Sequence, residues 1–200
     1  MRFRGDGETE ITAPVSGAAA RYADAHIYVA LDLIYRNGRA GRQSLADELG
    51  IGEGSVRSML NVLREWRWIQ VRQSGVTLTE LGKESFRGFG MQLVRVSESK
   101  YSVGSFQYGI IVRGAAASVT DGMKQRDLAV MNGAEGASVF VMLKGELIFP
   151  KNWNLDEQDP ETAARLRQTG MRDGDVLIIA GADTEKKARL AAAAAGLAMK

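Results

Sequence analysis

From Leu49 to Leu63 the chain reads LGIGEGSVRSMLNVL, and no other stretch constrains its folding as tightly. Val56, Met59, Leu60 and Leu63 fall at the i, i+3, i+4, i+7 spacing of a helix with one buried face, predicted here over residues 53–67. Three glycines stand in front of it. Gly50 is placed to end a preceding helix in the left-handed conformation, Gly52 to serve as a modest N-cap, and Gly54 lies in the first turn. Ile51 is expected to plug between the two helices. Upstream, Ile27, Ala30, Leu31 and Ile34 predict a helix over 22–36 that stops at Asn37-Gly38, and Leu45, Ala46 and Leu49 a short one over 43–49. The order is helix, short helix, tight turn, longer helix.

Downstream, Ile69 and Val71 alternate with Gln70 and Arg72, the chain turns at Ser74-Gly75, and it returns through Val76 and Leu78 as a two-stranded hairpin. Thr79 can cap one more helix. Three helices closed by a hairpin make the winged helix-turn-helix plan. With one face of the third helix buried, Ser55, Arg57, Ser58, Asn61 and Arg64 point outward, where a recognition helix meets base edges. Arg57 suits guanine and Asn61 adenine or a phosphate. Arg72, Gln73 and Ser74 occupy the wing tip, and Arg39 and Arg42 precede the second helix as phosphate anchors. Between Arg36 and Arg72 seven arginines face four acidic residues with no lysine. That surplus is carried on guanidinium groups, which bind phosphate and guanine in two-pronged fashion.

The segment GRQSLADELGIGEGSVRSMLNVLREWRWIQV, with GVTLTELGKE after it, resembles the winged-helix DNA-binding domains of prokaryotic transcriptional regulators. Arg42, Gly54, Ser55, Val56, Arg57, Gly75, Leu78, Thr79 and Gly82 match that pattern, while Gly52 stands where such domains often have a serine cap. The resemblance implies double-stranded DNA as partner.

Beyond Lys83 to Phe89 the pattern changes. MQLVRV and YGIIVRG read as strands, Ser97 to Gln107 as a loop, and Asp121 to Asn132 as a helix with Met123, Leu128 and Met131 available for packing. ASVFVMLKGELIFP is a hairpin turning at Lys144-Gly145, Pro160 opens a short helix, GDVLIIAG is a buried strand, and a helix capped by Asp183 follows. The expected fold class is therefore α+β: an N-terminal winged helix-turn-helix, then a C-terminal α/β domain with a mixed sheet. The expected divisions are a disordered tail over 1–20, the winged helix over 21–88, and an effector-sensing or dimerisation domain over 89–200. The whole arrangement resembles an archaeal two-domain family whose second domain has no settled function.

In the second half two strands run into small residues, at Gly114 and at Gly181, and the latter precedes Asp183 and Thr184 at a helix N-terminus that favours anions. Gly114, Gly181, Asp183 and Thr184, with Arg126 and Asp127, form a weak candidate ligand set; the two charged residues equally suit a surface pair. Trp153 reads as a lid over the core.

The chain has no cysteine, which excludes disulfides, thiolate metal sites and Cys nucleophiles, and one histidine, His26, placed for a structural role, on which any Ser-His-Asp triad would have to rely; carboxylate and lysine chemistry stays open. No catalytic residue, metal or cofactor is expected. No apolar run approaches the ~18 residues of a membrane span, and the N-terminus lacks an apolar signal region, which places the protein in the cytoplasm. The leading expectation is a homodimeric DNA-binding regulator with a small-molecule effector. Two other classes stay open: an enzyme acting on a phosphorylated or nucleotide-like substrate with the winged helix appended, and a protein-interaction or RNA-binding module.

Overall fold

The structure, a computed structural model, describes residues 22–96, 100–150 and 153–200, so the tail expected over 1–20 lies outside the described residues. Its contacts divide the chain into two units, one ending at Phe89 and one beginning at Gly90.

The first unit runs α1 (Asp24–Asn37), α2 (Arg42–Leu49), α3 (Glu53–Glu65), β1 (Ile69–Arg72), β2 (Gly75–Leu78) and α4 (Glu80–Gly88). The apolar stripe of α1 is buried with Leu45 and Leu49 of α2 and with Val56, Met59, Leu60 and Leu63 of α3. Tyr28 closes this core against Phe86, with ring centroids 5.4 Å apart. His26 is structural here: its Nδ1 accepts the Ala23 N–H at 3.0 Å and closes the first turn of α1. Gly50 takes the left-handed cap at φ 67. Ile51 is only half-buried and not the plug expected between α2 and α3, where Leu45, Leu49 and Val56 are the buried side chains.

Two further details differ from the sequence reading. The hairpin turns at Gln73-Ser74, since Arg72 pairs with Gly75. Gly75 is needed on the strand itself, where a Cβ would come within 3.0 Å of the Ala40 carbonyl oxygen. Ala40 bridges Val76 through two hydrogen bonds of 2.8 and 2.9 Å, which adds a third strand segment to the wing. Helix α3 stops at Glu65, because Arg67 swings to φ 59 and its carbonyl accepts the Thr79 hydroxyl at 2.7 Å. Thr79 caps α4 as expected. The glycine that follows in the Leu-Thr-x-x-Gly motif has a steric reason: a Cβ on Gly82 would fall on the Trp68 carbonyl.

The second unit runs β3 (Met91–Arg95), β4 (Phe106–Val112), a 3-10 turn (Ala116–Ser118), α5 (Met123–Met131), β5 (Gly136–Leu143), β6 (Glu146–Phe149) and β7 (Trp153–Asn154). It continues with α6 (Leu155–Gln158), α7 (Pro160–Arg167), β8 (Val176–Ala182) and α8 (Glu185–Leu197). The layout is the expected one, but the sheet, in the order β3-β4-β8-β5-β6-β7, is antiparallel at every pairing and not mixed. Strand β8 slots between β4 and β5 and opposes both, so those two point the same way without ever pairing.

Both sheet faces are covered, which is why the central strands read as unbroken apolar runs. On one face α8 buries Ala188, Ala191, Ala192, Ala193 and Ala195, and Gly196 sits where a Cβ would come within 2.9 Å of Ile110. On the other, Ile111, Phe140, Leu177 and Ile179 pack with Leu155, Ala163 and Leu166 from α6 and α7 and with Trp153, the expected lid. In α5, Met123 and Met131 are exposed and Gln125 and Ala129 face inward. The helix lies close to β5, with its cap Gly122 against Val139. Thr184, not Asp183, caps α8.

Candidate nucleic-acid interface

The N-terminal ends of α2 and α3 and the hairpin β1-β2 wall an open groove of about 510 Å³. The turn at Gly50 brings the two helix ends to one side, and the Ala40–Val76 bridge ties the wing to the segment leading into α2. Five of the sequence candidates line the groove: Arg42 from α2, Arg57 from α3, and Arg72, Gln73 and Ser74 from the wing. The rest lie elsewhere on the unit's surface. Ser58, Asn61 and Arg64 are exposed along α3, Arg39 is exposed just before the bridge, and Ser55 is half-buried. Ser58 is partly committed, its hydroxyl donating to the Gly54 carbonyl at 3.1 Å. Gln43, Glu53 and the exposed Val71 also line the groove and were missed. Gln43 could have been found from its place beside Arg42, and Glu53 from its position at the first residue of α3.

The electrostatics of this groove are unusual for a protein surface. Among the described residues neither Arg42, Arg57 nor Glu53 has an ion-pair partner, and the Arg72 guanidinium donates only to Gln70 at 3.2 Å. Both flanking helices are N-capped by glycine, Gly41 and Gly52, with no capping side chain, and in α3 the Ser55 N–H turns back to the Gly52 carbonyl at 2.9 Å. An α3 of 13 residues is about 20 Å long, and one helix of that kind fits the ~12 Å major groove of B-DNA.

The ligand set expected in the second unit does not converge. Gly181 pairs with Gln107 and Val112 with Val176, so Gly114 lies at the opposite end of the sheet, on the order of 20 Å away. The Gly114 N–H is already given to Asp175 at 3.1 Å, and at the other end a Cβ on Gly181 would fall on the Val103 carbonyl, which leaves a ligand no room there. Asp183 pairs with Lys187 at 2.7 Å, the Thr184 hydroxyl accepts the Lys187 N–H, and Arg126 lies 3.8 Å from Asp127 in an exposed pair. A smaller hollow of about 250 Å³ includes Arg95, Phe106, Tyr108 and Glu185 in its wall, and Arg95 and Glu185 pair with each other at 3.2 Å. Among the described residues no cluster of His, Asp and Glu could hold a metal ion, and no helix is long and apolar enough to cross a membrane.

Three helices, a short turn fixed by Gly50 and a tethered two-stranded wing define the first unit as a winged helix-turn-helix. Residues 25–92 match the family model of the CggR N-terminal DNA binding domain. Residues 103–199 match a domain of unknown function (DUF4443). The two matches together describe a DNA-binding regulator domain followed by a C-terminal domain whose role its family does not state. A solved structure, a hypothetical protein from Pyrococcus horikoshii OT3, is similar at 28% identity and a TM-score of 0.74, over 90% of this chain and 94% of that one. No curated protein matches the chain.

Proposed function

We propose that the protein is a cytoplasmic transcriptional regulator that binds double-stranded DNA through the α2-α3-wing groove. The convergence of Arg42, Arg57 and Arg72, without ion-pair partners among the described residues, on one open groove supports this reading above all else. Helix α3 enters the major groove with Arg57 at a base edge and Asn61 and Arg64 further along, Arg39 and Arg42 grip phosphates, and Arg72 with Gln73 and Ser74 follows the backbone or minor groove beside it. Ser55 and Ser58 supply short polar contacts on the same helix. Reading a palindrome requires two such helices about one DNA turn, ~34 Å, apart, so the protein works as a homodimer. The second unit supplies the pairing, the effector response, or both, and an effector acts only by binding two dimer geometries with different affinities. The similarity to the Pyrococcus protein along nearly the whole of both chains supports the archaeal two-domain arrangement.

A DNA shift assay at several salt concentrations tests this directly. Arg57→Ala and Arg72→Ala should each weaken binding about tenfold, and a variant that loses a phosphate contact should flatten the slope of log affinity against log salt by about 1. If both variants bind as tightly as the parent, the interface is wrong.

A further inference from the structure

We infer that Glu53 is a base-reading residue of this groove, selecting cytosine in the major groove through its exocyclic amino group; the inference rests on the DNA-binding reading above. Glu53 is the first residue of α3 and lines the groove with Arg42, Arg57 and Arg72. Three guanidinium groups on the same wall offer it candidate partners. Among the described residues Glu53 forms no ion pair and stands exposed.

Its neighbours sharpen the point. Gly52 and Gly54 flank it, and a Cβ built at either meets nothing within 4 Å, so packing requires neither glycine. The tip of α3 therefore presents one side chain between two bare stretches of backbone, a shape that lets the helix end come close to a partner with Glu53 leading. A phosphate is the wrong partner, because like charges repel in a groove otherwise built to attract phosphate. What a carboxylate can accept from on duplex DNA is a base N–H. Cytosine offers N4–H₂ on the major-groove edge with no acceptor on the same base, whereas adenine sets N7, an acceptor, beside its N6–H₂. Arg57, one helical turn on, can bond O6 and N7 of a neighbouring guanine, so the two side chains together favour adjacent positions of opposite donor and acceptor pattern.

The test is selection of bound duplexes from a randomised pool by the full chain, followed by competition binding on the selected site and on single-base variants. The parent should favour cytosine at one position of each half-site. Glu53→Gln should lose that preference by roughly tenfold at that position alone, while binding random-sequence DNA more tightly at low salt. Glu53→Asp keeps the charge but draws it back by one methylene, and should lose the preference without the gain on random DNA. Thermal melts of all three proteins check that the helix still forms. A parent that selects a site while both variants keep the same cytosine preference overturns the assignment, leaving Glu53 as an acid at a helix N-terminus. Failure of the parent to bind any duplex overturns the DNA-binding reading itself and the assignment with it.

Discussion

The two units treat their charged side chains in opposite ways. In the first, the described ion pairs are Arg36 with Asp32 and Lys83 with Glu80, each within a single helix. Arg39, Arg42, Arg57, Arg64, Arg67 and Arg72 enter none among the described residues. The second unit turns its charges on itself: Arg113 meets Asp175 at 2.6 Å, Arg167 meets Asp156 at 2.5 Å, Lys100 meets Asp159 at 2.9 Å, and Lys187 meets Asp183 at 2.7 Å. Asp175, nearly inaccessible, also takes the N–H groups of Gly114 and Arg172. One unit is held by apolar packing and leaves its groove arginines without ion pairs among the described residues, while the other uses ions to fasten its own loops. The net charge of only +2 hides this difference, which appears when the guanidinium groups are placed one by one.

Several substitutions would strain or sharpen that contrast. The largest effects should come from Gly82→Ala and Gly181→Ala, whose new methyl groups land on backbone carbonyls of Trp68 and Val103. Each should cost about 3 kcal/mol or more. Segment-resolved hydrogen exchange should quicken within residues 22–89 for the first and within 90–200 for the second. Next comes a matched pair: Asp175→Ala, which strips a buried acceptor from Arg113 and two backbone amides, should cost about 3 kcal/mol in urea unfolding. Arg57→Ala, in the groove, should change stability by less than about 0.5 kcal/mol. Equal effects for the two would break the comparison.

Acid should separate the units as well. Burial holds His26 below its ordinary value of 6.5, so the unfolded chain binds the extra proton first and the first unit loses stability as pH falls through and below 6.5. The hydrogen bond from Lys100 holds Asp159, and that from Arg167 holds Asp156, below the ordinary 3.8, so their contribution is complete above that value and fades as pH falls towards their depressed ones. Urea midpoints followed by exchange in each unit check this, and His26→Gln should flatten only the first response. A small effect of opposite sign is the most diagnostic. Gly54→Ala should stabilise the first unit by about 0.5–1 kcal/mol, because a helical glycine with open space beside it contributes only chain freedom. If the bare tip of α3 serves close approach, the same change should weaken DNA binding in the shift assay.

Much of the first unit was legible because its determinants are local. The stripe from Val56 to Leu63, the left-handed cap at Gly50 and the Thr79 cap each declare themselves within a few residues. Arg57 followed from that periodicity, Arg42 from its place before the second helix and the wing tip from the hairpin alternation, whereas Glu53 entered only as one of four acids among seven arginines. The second unit shows where such reasoning stops. Its strands and the Lys144-Gly145 turn were readable, but β4 and β8 pair across about 70 residues of sequence, and no periodicity encodes whether such a pair runs parallel or antiparallel. That one unread direction is what placed Gly114 and Gly181 together in the sequence reading and at opposite ends of the sheet in the structure.

Strand β8 lies third in a sheet of six and is made last. As the chain leaves the ribosome, β3-β4 and β5-β6-β7 can each form as separate ribbons, but β4 and β5 both present an open, apolar edge until residues 176–182 emerge to join them. The winged helix, with its local contacts, has by then had some ninety residues of synthesis time in which to fold, on the order of ten seconds at typical elongation rates. During that interval the nascent chain carries a folded winged helix and an unsealed sheet, and the final strand closes both open edges at once.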